Sequence, residues 1–248
     1  MSASPVNPAS LRVACSNCNL RELCLPLGLS NEEMSEVEQI VGSRRRVRRG
    51  DALFRAGDRF DSLYAVRLGF LKSTLTSSDG HEQVTGFHMA GEIVGLDGIS
   101  NDAHTCDTTA LEDTEVCVIP YERLEDFAGR LPALQNHLRK VMSREIVREH
   151  GVMLLLGSMR AEERLAAFLL NLSQRFEARG YSRSEFVLRM TRAEIGSFLG
   201  LKLETVSRAL SHFAQENLIE VEQKHVRILD PVRLRGLLGN GGPSQEHC

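Results

Sequence analysis

Three thiols stand within ten residues of one another, in the run Cys15-Ser16-Asn17-Cys18-Asn19-Leu20-Arg21-Glu22-Leu23-Cys24-Leu25-Pro26. The segment has too little apolar periodicity for a core helix or strand. Thiolates so closely spaced near a chain end can reach one metal centre with little help from the fold. Such a centre needs a fourth ligand from farther along the chain. Two cysteines are candidates, Cys106 and Cys117. Cys106 lies in the polar stretch 101–109, which reads as a loop. Cys117 alternates with Val116 and Val118 on a predicted strand, so it faces the other way from them and is held rigidly. Four thiolates suit an iron–sulfur cluster, and they also suit a closed structural zinc site.

A second group of residues could read DNA. Thr191-Arg192-Ala193-Glu194 is a capping-box pattern, the helix it opens stops at Gly200, and a second helix is expected from about Leu203 to Glu216. That is a helix-turn-helix. With Val206, Leu210 and Phe213 packed inward, Glu204, Ser207, Arg208 and Ser211 project from the half that enters a major groove. Glu can accept from cytosine, Ser can serve several bases and Arg can grip guanine with two bonds. Arg192 and Lys202 are placed to meet phosphates. Lys202 stands where a Ser or Thr would cap the second helix.

The elements that must position these groups are legible in outline. A short capped helix is expected over 30–41. From Val47 to Pro120 short β-rich runs alternate with Gly and Asp turns, the pattern of a small antiparallel barrel or jelly roll. The run Arg44-Arg45-Arg46-Val47-Arg48-Arg49 before it reads as a solvated face rather than a nucleic-acid patch. From Tyr121 to about Leu156 the period is helical, broken near Pro132. Met142, Ile146, Glu149, Met153 and Leu156 recur at steps of four, three, four and three, a coiled-coil seam whose economical partner is a second copy of the chain. Leu165, Phe168, Leu169, Leu172 and Phe176 then make one buried helical face. A β signal follows at Phe186-Val187-Leu188, and 218–229 alternates like a two-stranded wing.

The expected fold class is α+β, with boundaries at 1–28 for the cysteine-rich segment and 29–120 for the β-roll. The dimerisation helix takes 121–157, the winged helix-turn-helix 158–232 and a tail 233–248. A chain of 248 residues with net charge −3 accommodates two modest cores. No apolar run approaches the ~20 residues that span a bilayer, and the polar start carries no signal-peptide pattern. A cytoplasmic location is therefore expected, where clustered thiols are metal ligands or redox groups rather than disulfides.

Charge is uneven along the chain. Between Lys72 and Arg123 there is no Lys or Arg but five Asp and five Glu, whereas Arg160 to Arg235 holds thirteen basic and ten acidic residues. Only the C-terminal part is suited to phosphates. The acidic middle also argues against a cyclic-nucleotide receptor. Such a pocket needs a cation for the phosphate, and here His104-Thr105-Cys106-Asp107 occupies that neighbourhood. Enzymatic chemistry is not expected, because His81, His88 and His104 have no nucleophile, phosphate loop or dinucleotide fingerprint beside them.

From Cys15 to Asp230 the chain resembles the FNR-type oxygen-sensing branch of the cyclic-AMP receptor protein superfamily. The resemblance is carried by Leu23-Cys24-Leu25-Pro26, Ser62-Leu63-Tyr64-Ala65-Val66-Arg67, Glu82-Gln83-Val84-Thr85-Gly86-Phe87-His88, Val116-Cys117-Val118-Ile119-Pro120, Ala161-Glu162-Glu163-Arg164-Leu165-Ala166-Ala167-Phe168 and Glu204-Thr205-Val206-Ser207-Arg208. It implies a β-roll sensory domain, a dimerisation helix and a winged helix. It further implies one oxygen-labile [4Fe-4S] cluster per subunit that promotes homodimerisation and binding to TTGAT-type palindromes at promoters of anaerobic genes. On that resemblance the fourth ligand is Cys117, beside Cys15, Cys18 and Cys24, with Cys106 and Cys248 as bystanders. The hairpin carrying Asp79-Gly80 is implied as a contact for RNA polymerase.

Overall fold

The computed structural model describes residues 24, 31–41 and 43–239. These described residues form two compact units, one made of those up to 76 with 86–142 and one of 77–85 with those from 143 on. Cys15, Cys18 and Cys248 lie outside the described residues.

The first unit is a β-roll of two antiparallel four-stranded sheets. Strands β1 (Ser43–Val47), β8 (Thr114–Pro120), β3 (Ser62–Leu68) and β6 (Ile93–Val94) form one sheet in that order. The other runs β2 (Ala52–Phe54), β7 (Asp107–Ala110), β4 (Phe70–Thr76) and β5 (Glu82–Met89). Alternation along each strand sends one set of side chains inward and the other outward. Val47, Leu53, Phe54, Val66, Leu71, Val94, Cys106, Ala110 and Val116 fill one core. The opposite face of β8 and β3, with Leu63, Ala65 and Ile119, is covered by helices α1 (Asn31–Ile40), α2 (Tyr121–Arg130) and the start of α3 (Pro132–Ser158). Val37, Ile40, Leu124, Ala128, Leu134 and Leu138 supply that second core. Leu131 divides α2 from α3 because Pro132 disfavours a helical conformation in the residue before it.

Gly69 turns β3 into β4 with φ 93°, and a Cβ there would lie 2.3 Å from Thr114 Oγ1, so only glycine fits. The turn thereby passes close against Thr114, the first residue of β8.

The second unit centres on α4 (Ala161–Glu177), α5 (Arg192–Leu199) and α6 (Leu203–Gln215), followed by β10 (Ile219–Glu222), β11 (His225–Ile228) and α7 (Pro231–Gly236). Leu165, Phe168, Leu169 and Leu172 are buried as the periodicity predicts, while Phe176 is only partly covered, with its ring stacked on Phe186 at 5.3 Å. The wing differs from expectation. The β signal before α5 becomes β9 (Glu185–Val187), which pairs with β11 and makes the sheet three-stranded, in the order β10-β11-β9. No helix among the described residues is long and apolar enough to cross a membrane.

Candidate metal centre and nucleic-acid interface

Cys117 sits in the middle of β8, directly across from Arg44 on β1 and Ala65 on β3. Bonded on both flanks, β8 cannot shift without breaking two ladders, so this thiol is carried on rigid backbone. Its side chain is partly buried against the core under α1, α2 and α3, and Cys24 packs against the same core. Two of the four predicted ligands, Cys24 and Cys117, thus pack against one core. Among the described residues no three His, Cys, Asp or Glu side chains converge on a metal position; the remaining predicted thiols, Cys15 and Cys18, are outside them.

Cys106 lies in the bend just before β7, in the loop its polar surroundings suggested, yet it is not exposed there. It is buried at the edge of β7, in the core on the other side of the β8 sheet from Cys117. Burial, with the nearby Asp97 carboxylate, pushes its thiol up to about 12. A thiol held neutral is a poor metal ligand. Only the end of the polar stretch departs from expectation: 107–109 is strand, and there Thr108 is fully buried within a hydrogen-bonded network. Ser73 Oγ lies 2.9 Å from His88 Nε2 and 3.0 Å from Thr108 Oγ1, all three being buried. His104 is also buried, stacked on Phe54 with ring centroids 3.6 Å apart and 3.4 Å from Asp97.

Around Cys117 the charge is basic. Glu115, two residues earlier on the same face, is met by Arg67 at 2.5 Å, Arg46 at 3.6 Å and Arg44 at 3.8 Å. Arg46 is largely exposed, but the Arg44 side chain is only 17% exposed, so this part of the arginine run is not the solvated face the sequence suggested.

In the second unit, Thr191 Oγ1 accepts from the Glu194 amide at 3.2 Å and the Thr191 amide donates to Glu194 at 2.7 Å, closing the predicted capping box. Gly200 takes φ 62° to end α5, and the Leu201 amide donates to Gly196 at 2.8 Å. A Cβ on Gly196 would come 2.6 Å from the Leu201 carbonyl oxygen, so the tight turn depends on that glycine too. Val206, Leu210 and Phe213 are buried, leaving Glu204, Arg208 and Ser211 exposed on the opposite side of α6. Ser207 is partly covered, and its hydroxyl accepts from Arg192 Nη1 at 3.2 Å. Lys202 occupies the N-cap of α6 without a side-chain cap.

One contributor escaped the sequence reading. Arg164 donates from Nε to the Met159 carbonyl at 2.9 Å, from Nη2 to Leu156 at 2.8 Å and from Nη1 to Leu199 at 3.0 Å. One guanidinium thus satisfies carbonyls at the ends of both α3 and α5. No local signal marks it, because its acceptors are up to 35 residues away.

On α3, Ile146 is 54% and Met153 66% exposed, with Glu149 exposed between them. Met142, expected on the same seam, is partly buried against the core that holds Cys117. The predicted stripe is thus open in its middle, from Ile146 to Met153, and partly covered at Met142 and Leu156.

Comparison with known proteins agrees with this architecture. Residues 44–130 match the model of the cyclic nucleotide-binding domain, and 163–237 that of the Crp-like helix-turn-helix domain. The transcriptional activator protein Anr of Pseudomonas protegens is 51% identical over 225 residues, 91% of this chain and 92% of that one. The fumarate and nitrate reduction regulatory protein of Yersinia pestis is 43% identical over 231 residues, 93% of this chain and 92% of that one. Among solved structures, FixK2 from Bradyrhizobium japonicum superposes with a TM-score of 0.73 at 30% identity, covering 79% of this chain and 96% of that one. A β-roll, a long helix and a winged helix-turn-helix, shared over nearly the whole length with named transcriptional regulators, make this chain a DNA-binding transcription regulator rather than an enzyme, and it belongs to the FNR-type group of the Crp/Fnr family.

Proposed function

We propose that the protein is an oxygen-responsive regulator in which Cys15, Cys18, Cys24 and Cys117 hold one [4Fe-4S] cluster per subunit. The observation that carries this reading is the packing of Cys24 and Cys117 against one core, with Cys106 sealed on the far side of the sheet. The residues fit the group: the donors are soft thiols, and the charge beside them is basic. When bound, the cluster supplies an oxygen-sensitive tie between the N-terminal segment and β8.

The chain's own residues then link that tie to DNA. Leu134, Leu138 and Met142 of α3 belong to the core against which both thiols pack, so order in that core bears on the start of α3. Farther along α3, Ile146 and Met153 offer an apolar stripe that a second copy would cover, with Glu149 meeting its own copy and opposing the association. Near balance is useful in a sensor, because a modest bias moves the population. A dimer places two α6 helices on half-sites one helical turn apart, with Glu204, Ser207 and Arg208 toward bases and Arg192 and Lys202 toward phosphates of a TTGAT-type palindrome. RNA polymerase is the further partner, through the hairpin of Asp79 and Gly80. A cyclic nucleotide is not part of this reading. The roll interior offers no Lys or Arg from Ser73 to Glu122, and its polar groups Ser73, His88 and Thr108 bond one another. The protein would act in the cytoplasm, where thiols stay reduced.

Iron and sulfide analysis of anaerobically purified protein tests the reading. Wild type and Cys106→Ala should carry iron, sulfide and a broad visible absorption that air bleaches, and Cys117→Ala should not. A Cys117→Ala protein that keeps its cluster refutes the ligand set, and stoichiometric zinc in wild type refutes the cluster.

A further inference from the structure

The buried end of Arg44 has an unmet requirement. Its Nε is shut off from solvent and has no hydrogen-bond partner. The nearest carboxylate oxygen, on Glu115, is 3.8 Å away, beyond hydrogen-bond range. A buried guanidinium nitrogen left unsatisfied keeps the full penalty of its lost hydration. Simple solvation by turning outward is open to Arg46, which is 83% exposed, but Arg44 stays in. The position is specified by register: Arg44 is the direct cross-strand neighbour of Cys117, so the two side chains leave the same face of the sheet with Cβ atoms about 4.5–5.5 Å apart.

We propose that Arg44 is a positioning residue for the cluster, its Nε donating a hydrogen bond to a sulfur at the corner anchored by Cys117. The inference rests on the cluster reading given above. Sulfur of a thiolate-ligated cluster is electron-rich and accepts such bonds, and hydrogen bonds and nearby charge are the means by which a protein sets a cluster's reduction potential. Three guanidiniums around the single carboxylate of Glu115 leave this corner with excess positive charge. A cation and a donor favour the more electron-rich state. Arg44 therefore protects the cluster from oxidation by oxygen, while Cys117 fixes its place.

The test compares wild type, Arg44→Gln, Arg44→Lys and Glu115→Gln, each loaded anaerobically and assayed for iron and sulfide. The readouts are iron–sulfur stretching frequencies and the rate of visible bleaching in air. Arg44→Gln should load but bleach about tenfold faster, the worth of one charge-assisted hydrogen bond, with its iron–thiolate bands shifted. Arg44→Lys keeps the charge without Nε. It should bleach faster than wild type, and it is the variant to read if the Gln protein fails to fold. Glu115→Gln removes a negative charge and should bleach no faster than wild type. Wild-type rates and bands in both Arg44 variants overturn the proposal while leaving the cluster in place. Equal acceleration by Glu115→Gln also overturns it, by assigning the effect to the lost ion pair. Wild type that takes up neither iron nor sulfide sinks the cluster reading itself.

Discussion

Replacing Arg164 by Ala removes three bonds at 2.8–3.0 Å from carbonyls of Leu156, Met159 and Leu199. Two of those carbonyls lie at the end of α3, where orphan acceptors have no intrahelical partner, and the third closes α5. A hydrogen bond from a charged donor contributes ~1.5–3 kcal/mol. Arg164 is only partly buried, so the low end of that range applies. Three such bonds, less ~2 kcal/mol for ordering the long side chain, leave about 2–3 kcal/mol of net stabilisation. Urea unfolding followed by helical circular dichroism reads this directly. With a slope of ~1–3 kcal/mol per molar, the midpoint of the transition that reports the helix-turn-helix should fall by about 1–2 M. Arg164→Lys should recover little, since one ammonium cannot span acceptors on two helices. The same loss should lower DNA affinity, because the clamp fixes α5 against the end of α3. A wild-type midpoint in Arg164→Ala, or full recovery with Lys, would refute the reasoning by showing that the planar fork contributes nothing.

Three further outcomes are expected. Glu149→Ala should sediment as a dimer and bind DNA in air, while Ile146→Glu should do neither even anaerobically; air-exposed Glu149→Ala that stays a wild-type monomer removes the charge from the switch. Arg208→Ala should cost ~1–3 kcal/mol on a TTGAT-type palindrome and much less on a site altered at the base it reads, and uniform loss across single-base variants would make it a phosphate contact. The Cys106 thiol, raised from 9.0 to about 12 mainly by burial, should resist alkylation in the native protein at pH values where the unfolded chain reacts. Because the native state keeps a proton that the unfolded state gives up, this group's contribution to stability is full below its ordinary value of 9.0 and declines as pH rises from there toward about 12. Alkylation at equal rates with and without urea near pH 9 would contradict the burial.

Local relations were legible in the residues themselves. Thr191 and Glu194 are three apart and cap each other, Gly200 ends the helix they open, and Val206, Leu210 and Phe213 recur at helical spacing, so the DNA-reading hairpin could be drawn before any coordinates. Each depends on neighbours within a turn or two, where backbone geometry leaves few choices. The thiol-rich run and the strand around Cys117 were likewise evident as types and spacing. What only the tertiary structure decided was where distant residues meet. That β8 keeps Cys106 and Cys117 in separate cores follows from sheet pairing. So do the burial of Arg44 beside Cys117 and the recruitment of β9 to the wing. The burial of Thr108 at the end of a polar stretch could not be read locally, because Ser73 and His88, which satisfy it directly or through one another, lie at least 20 residues from it. Arg164 shows the same limit: an arginine's acceptors are set by which helix ends the fold brings within reach, and no spacing along the chain encodes that.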